Sequence, residues 1–485
     1  MDLSELVNFA TVVDVRKYCC VACLNIQLGV MAMRFLLNII CVLFCSTLSA
    51  AERPNLLFII ADDCTYRDLG CYGGEAHTPN IDALCTEGMK FTHCFQAAPM
   101  CSPTRHNIYT GLYPVKSGAY PNHTFAKAGT KSIVHYLKPL GYRVHLSGKK
   151  HIAPEEVFPF EYSGKNNNPD MQVISQFFKE CKADNQSFCL FACSNEPHTP
   201  WNKGDASQYD AANLELPPYI PDTPHVREQF TKYLTEITYY DNQVGQLLKM
   251  LEKNQLDENT LVMVVSEQGN SLPFAKWTCY EAGLGSAMIV RWPGHVQPNS
   301  ESDALVEYVD VLPTFVEVAG GNPSAELDGH SFLPVLLGEK DSHKRFTFGL
   351  MTTRGIINGS ESYPIRSVRN QQYRLIWNLN SEATFTNACT QGSEFQSMLA
   401  AAERGDRQAQ KYTDKYQHRP EFELYDVVED PHNINNLSGD QKYSGVIAKL
   451  KSELDQWMAD QGDKGIATEM EAMDHQKRGR KKSKE

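Results

Sequence analysis

Four short apolar runs, each ending in a polar cluster, constrain this chain more than any other feature. Asn55-Leu-Leu-Phe-Ile-Ile-Ala61 runs into Asp62-Asp63, and Tyr142-Arg-Val-His-Leu-Ser147 into Gly148-Lys149-Lys150-His151. Ser187-Phe-Cys-Leu-Phe-Ala-Cys193 runs into Asn195-Glu196-Pro197-His198, and Leu261-Val-Met-Val-Val-Ser266 into Glu267-Gln268-Gly269. Runs of this length, rich in β-branched and aromatic residues and separated by helical stretches, predict parallel strands covered on both faces. Helices are expected over 79–88, 131–140 and 225–253. The last repeats Phe230, Leu234, Ile237, Val244, Leu247, Leu248 and Leu251 near the 3.6-residue period. The fold class expected is α/β, a large mixed, mostly parallel sheet flanked by helices. Ligand sites of open α/β sheets gather at the carboxyl ends of the strands. All four polar clusters fall there.

Beyond about residue 345 the texture changes. Tyr363-Pro-Ile-Arg-Ser-Val-Arg369, Tyr373-Arg-Leu-Ile-Trp-Asn-Leu379 and Phe422-Glu-Leu-Tyr-Asp426 read as antiparallel strands, with a short amphipathic helix over 450–458. We therefore divide the chain into 1–51, an upstream extension and signal peptide; 52–345, a catalytic domain; 346–465, a smaller α+β domain with an antiparallel sheet; and 466–485, a basic flexible tail. The signal reading rests on Met33-Arg34, the apolar run Phe35–Phe44 and the small residues Ser46-Thr-Leu-Ser-Ala-Ala51, with the start at Met31 or Met33. The run is short for a membrane span, so the expected product is secreted or periplasmic, with no stable membrane insertion after cleavage. An uncleaved anchor is the alternative. Five of the 15 cysteines precede the cleavage site. Among the rest, Cys181, Cys189 and Cys193 are close enough for one disulfide, without spacing to say which. A net charge of −12 argues against nucleic acid as a partner, while leaving room for a local cationic pocket.

Asp62, Asp63, Glu267 and Gln268 offer oxygen ligands only. Adjacent carboxylates are costly unless a cation offsets them, and an all-oxygen set suits Ca²⁺, or Mg²⁺, and not zinc. Each pair alone could merely cap a helix. Arg105, Lys149, His151, His198 and Lys276 bring cationic or protonatable groups to the same edge. With a divalent ion they would grip a tetrahedral oxyanion. His198 could protonate a leaving group. The nucleophile is expected at position 101. In Cys101-Ser-Pro-Thr-Arg105 we expect Ser102 to cap a helix, Pro103 to occupy its first turn and Arg105 to share a face with residue 101. Taken alone, the motif could equally be a buried cysteine before a surface helix.

These motifs together resemble the formylglycine-dependent sulfatases, from about residue 54 to 457, which implies an alkaline-phosphatase-like fold. By that resemblance a modifying enzyme oxidises Cys101 to formylglycine, whose hydrate attacks sulfur, displaces an alcohol or amine and then expels sulfate. The resemblance assigns Asp62, Asp63, Glu267, Gln268 and the modified Cys101 to the metal. It gives Arg105 and Lys149 the task of neutralising diol and sulfate, and gives His151 the proton that drives elimination. His198 and Lys276 would hold sulfate and assist the leaving group. Lys276, in Pro273-Phe-Ala-Lys-Trp-Thr278, is similar to the family's Gly-Lys-x-Thr element. Stretches 148–160, 216–224 and 363–369 resemble the sulfamidases, or heparan N-sulfatases. The implied substrate is a sulfated carbohydrate carrying O-sulfate or N-sulfamate.

One departure stands out. Glu267-Gln268 replaces the family's usual Asp-Asn, one methylene longer at each position, so ligation survives if the backbone withdraws by roughly 1–1.5 Å. Two other readings follow: a phosphoryl hydrolase of similar fold, which would lack its extra histidine ligands here, and a catalytically silent binder of sulfated glycans. Arg354 and Arg366 are candidates for a second anionic group on the substrate.

Overall fold

The computed structural model describes residues 53–476. The expected signal peptide and upstream extension, and residues 477–485 of the expected basic tail, lie outside them. The larger sheet is built from β1 (Asn55–Ile60), β2 (Met89–Phe95), β3 (Arg143–Gly148), β4 (Glu161–Ser163), β5 (Phe188–Cys193), β6 (Thr260–Val265), β7 (Gly285–Arg291), β8 (Ser300–Ser302) and β9 (Val306–Glu307). Their order is β4-β3-β5-β1-β6-β7-β2-β8, with β9 also on β2. The four apolar runs are β1, β3, β5 and β6, adjacent and mutually parallel. Only β7 runs against its neighbours, β6 and β2. The sheet is mixed and mostly parallel.

Alternation explains why these runs are apolar throughout. Leu57, Ile59, Leu190, Ala192, Val262 and Val264 pack into one core with the helices Pro79–Glu87, Met171–Ala183 and Pro224–Lys253. Leu56, Phe58, Ile60, Phe191, Met263 and Val265 face the opposite core with Ile108, Tyr109 and the helix Val311–Val318. Both faces are dry, so neither can be polar. The long helix starts where its sequence directs: the Thr223 side chain accepts from the Val226 amide and Pro224 fills the first turn. The 131–140 helix is shorter than expected, Ile133–Leu137, and continues as a 3₁₀ turn, Lys138–Leu140, because Pro139 has no amide to donate.

The smaller sheet has the order β10 (Thr347–Met351), β11 (Ile365–Arg369), β12 (Tyr373–Asn378), β13 (Phe422–Asp426), all antiparallel. The helix Ser444–Gln461 lays Leu450, Leu454, Trp457 and Met458 on it. The same apolar cluster takes in Tyr113 and Val309, while Ile365 and Ile376 join the core beneath β1. Apolar burial is therefore continuous from one sheet to the other.

Three expectations are corrected. The tail does not begin at 466: Ile466–Met470 is helical, Ala472–His475 is a 3₁₀ turn, and buried Glu469 accepts from the amides of Thr353 and Arg354 at 2.8 Å. Cys181, Cys189 and Cys193 are all free and buried, so no pair forms among them. Arg366 is not available to a substrate, being fully buried in a two-pronged pair with Asp463. Arg354 is paired with Glu361 at 3.4 Å. No helix among the described residues is long and apolar enough to cross a membrane.

Candidate active site

The strand ends deliver the site. Asp62 and Asp63 follow β1, with Asp63 in the left-handed region at φ 60°. Lys149 follows β3 behind Gly148, which has φ 104° and where a Cβ would stand 2.0 Å from the Cys193 carbonyl oxygen. Only glycine lets β3 pass β5 this closely. His198 follows β5, and Glu267-Gln268 follow β6. Cys101 opens the helix Cys101–Thr110, whose ten residues are all buried.

Asp63 is the hub. Its Oδ2 accepts from Lys276 Nζ at 2.7 Å and Ser271 Oγ at 3.0 Å, and lies 3.6 Å from His198 Nε2. Its Oδ1 accepts from Gln268 Nε2 at 2.7 Å and from the Cys101 thiol at 3.8 Å. Gln268 Nε2 also reaches Cys101 Sγ at 3.0 Å. Asp62 pairs with Lys149. Arg105 donates to the Lys149 carbonyl at 2.9 Å and sets Nε 3.0 Å from Glu267 Oε1. Residues 101 and 105 share a face, as the spacing requires. Ser102 does not cap the helix. It lies inside the first turn, and its hydroxyl donates instead to the His151 carbonyl at 3.0 Å and accepts from the Thr124 amide at 3.3 Å.

One oxygen each of Asp62, Asp63 and Glu267, with Cys101 Sγ, lie within 4.8 Å of one another. Asp62 Oδ1 and Gln268 Oε1 are buried with no hydrogen-bond partner among the described residues, and Glu267 Oε1 has no well-aligned one. Buried oxygens without donors are costly. The gathered oxygens of Asp62, Asp63 and Glu267 beside residue 101 fit a hard divalent cation, whereas Gln268 turns its Nε2 toward Asp63 and Cys101.

Burial and neighbouring charge set the protonation states. Burial pushes the Cys101 thiol up to about 12, outweighing nearby Lys276, so it is a poor thiolate. Burial pulls Lys149 down to about 7 despite Glu267. Burial would lower Lys276 too, but Asp63 overrides it and holds the ammonium charged. Asp63 favours the His198 cation, yet burial with Lys276 and Lys149 prevails and leaves it at about 4. Burial, then Lys149, His123 and Arg105, hold His151 well below the usual imidazole range.

Asp62, Asp63, Cys101, Arg105, Lys149, His198, Glu267, Gln268 and Lys276 meet in this corner, His151 joins it through Ser102 and its own backbone, and Arg354 and Arg366 do not. The sequence reading missed Ser271 and His123. Ser271 stands five residues before Lys276 in the same loop. His123, from a loop that follows no strand, places Nδ1 2.9 Å from His151 Nε2.

A parallel sheet with carboxylates and cations meeting at a Cys-x-Pro-x-Arg helix start defines a class. Residues 54–321 match the family described as Sulfatase, and the chain belongs to that family of sulfuric ester hydrolases. Residues 269–406 match the region described as N-sulphoglucosamine sulphohydrolase, C-terminal. An ulvan-active sulfatase from Formosa agariphila is 34% identical over 428 residues, 85% of this chain and 81% of its own length. Human N-sulphoglucosamine sulphohydrolase is 26% identical over 463 residues, 84% of this chain and 91% of its own. A protein solved in complex with its substrate D-glucosamine-2-N,6-O-disulfate superposes with a TM-score of 0.63 at 19% identity, covering 86% of this chain and 99% of that one. A protein of known structure from Bacteroides fragilis gives a TM-score of 0.66 at 19% identity, covering 86% of this chain and 98% of that one.

Proposed function

We propose that this protein is a secreted or periplasmic sulfatase that removes sulfate from a sulfated sugar or glycan, using formylglycine made from Cys101 by a modifying enzyme. The observation that carries this is the meeting of Asp62, Asp63, Glu267 and Gln268 around residue 101, with two donorless buried oxygens among them. Those four residues, with the oxygen that replaces the Cys101 sulfur, would hold Ca²⁺, with Mg²⁺ the alternative. The cation supplies Lewis-acid polarisation of the sulfuryl oxygens and a lower pKa for a hydroxyl beside it.

The chain's own groups do the rest. Arg105, fixed by Glu267 and the Lys149 carbonyl, holds positive charge beside position 101. Lys149 and Lys276 counter the sulfate, each already placed by an aspartate of the metal set. His198 donates Nδ1–H to the Thr199 carbonyl at 2.7 Å, which leaves Nε2 for a proton destined for the departing oxygen or nitrogen. His151 is neutral through burial and its carbonyl meets Ser102, next to Cys101, which supports the role of proton acceptor that the family resemblance gives it. The relatives' names, ulvan on one side and N-sulphoglucosamine on the other, support a sulfated carbohydrate and both sulfate ester and sulfamate as substrates to assay.

The test has two parts. Mass spectrometry of the peptide containing residue 101 should show aldehyde in place of thiol. Sulfate release from O-sulfated and N-sulfated sugars, with a phosphate ester as control, should be lost on chelation and return with Ca²⁺. An intact thiol with no sulfate release would overturn the reading in favour of a silent glycan binder; turnover of the phosphate ester alone would favour the phosphoryl hydrolase.

A further inference from the structure

His123 and His151 form an imidazole pair that the metal and sulfate groups do not explain. Nδ1 of His123 lies 2.9 Å from Nε2 of His151, and the ring centroids are 4.8 Å apart. Both residues sit in the left-handed backbone region, at φ 55° and 44°. Residues other than glycine are uncommon there, and such conformations persist only where surrounding contacts enforce them. Here one enforcing contact is a hydroxyl that both loops share. Ser102, next to Cys101, donates to the His151 carbonyl and accepts from the Thr124 amide, so the helix that carries the reactive position also sets both loops. A second brace lies one turn on, where Ala153 O accepts from the Ala126 amide at 2.8 Å. The remaining ring nitrogen of His151, Nδ1, is buried and has no hydrogen-bond partner among the described residues.

We infer that His123 is a positioning residue that fixes the tautomer of His151: Nε2–H of His151 donates to Nδ1 of His123, leaving Nδ1 of His151 as the lone pair that accepts the proton. This rests on the sulfatase reading for the step it serves. In the reverse arrangement His123 would donate, and His151 would bury an N–H with nothing to receive it and no basic nitrogen to offer. When His151 Nδ1 takes a proton, the Nε2–H already points at a lone pair, so the imidazolium is stabilised without rearrangement. No bond other than N–H changes at either ring.

Histidine-selective ¹⁵N NMR on the native protein tests the tautomer without any substrate, with the His151 signals assigned by their loss in His151→Gln. Unprotonated Nδ1 and protonated Nε2 are expected for His151. His123→Asn, which keeps an acceptor at the δ position, should preserve that pattern, and His123→Leu should abolish it. On the sulfated sugar that the native enzyme hydrolyses, His123→Leu should lower kcat about tenfold or more with KM little changed, and His123→Asn should recover most of the loss. Formylglycine content, measured by mass for each variant, separates a positioning effect from failed modification. A protonated Nδ1 on native His151, or native kcat in fully modified His123→Leu, would overturn the inference. Should no sulfated sugar be hydrolysed by the native protein, the sulfatase reading fails while the NMR result still decides the histidine pair. Should His123→Leu not fold, the native tautomer alone decides.

Discussion

Asp63 makes five side-chain contacts from one carboxylate, and that crowding tells which single changes matter most. Lys276→Met removes the 2.7 Å ammonium from the Asp63 oxygen and from the place where sulfate would lie. Sulfate release should fall about 10²–10³-fold, with thermal unfolding as the check that the fold survives. A second residue-scale prediction concerns pH. Asp68 is buried, accepting from Tyr233 Oη at 2.8 Å and Asn270 Nδ2 at 3.4 Å, and burial raises its pKa to about 7 despite those bonds. An unfolded aspartate titrates near 3.9, so the folded state binds more protons between about 4 and 7. The cost of Asp68 is absent below about 4, grows as pH rises through that window and is complete above 7. Asp68→Asn should therefore raise the melting temperature more at pH 8 than at pH 5; an equal effect at both would refute the assignment. At this scale the sequence showed the paired carboxylates and the motif at 101, because each follows a strand or carries a distinctive spacing. His123 and Ser271 follow no strand and carry no motif, so only folding reveals their place.

Among the elements, the parallel strands were legible because two-sided burial leaves no polar position to mask them. β7 and β10 were harder to read. β7 is as apolar as its neighbours but antiparallel, and strand direction leaves no trace in composition. The turn after the Lys276 loop is instead fixed from the smaller sheet. Glu281 sits 3.1 Å from Arg369 on β11 and 2.6 Å from Arg374 on β12, and the Tyr280 hydroxyl donates to Glu423 on β13 at 2.9 Å. Burial works against the Glu281 anion, yet Arg374 and Arg369 prevail and hold its pKa at about 2. Glu281→Gln should cost about 3–5 kcal/mol, read from the denaturant midpoint at unchanged slope. With native Glu281, this stability should be lost as pH falls from about 4.5 towards 2.

For the molecule as a whole, the sequence suggested a catalytic domain ending at 345. The cores tell against cutting there. Val368, Leu375 and Leu424 share a core with Tyr113 and Val309, and Ile365 and Ile376 belong to the same continuous core as Leu57. A chain stopped at residue 345 should be insoluble or expanded by scattering, with no sulfate release. The boundary was visible as a change of texture, but the continuity of burial across it depends on side chains far apart in sequence.

The match to the C-terminal sulphohydrolase region begins at residue 269, ahead of Lys276 and inside the very loop that Glu281 pins down. Loop and arginines thus fall inside one matched block that stops at 406, short of β13 and its Glu423: a graft between relatives that runs on through residue 426 should keep Lys276, the Glu281 arginines and the Tyr280–Glu423 bond in register, whereas one ending at 406 should leave a mismatched joint at β13.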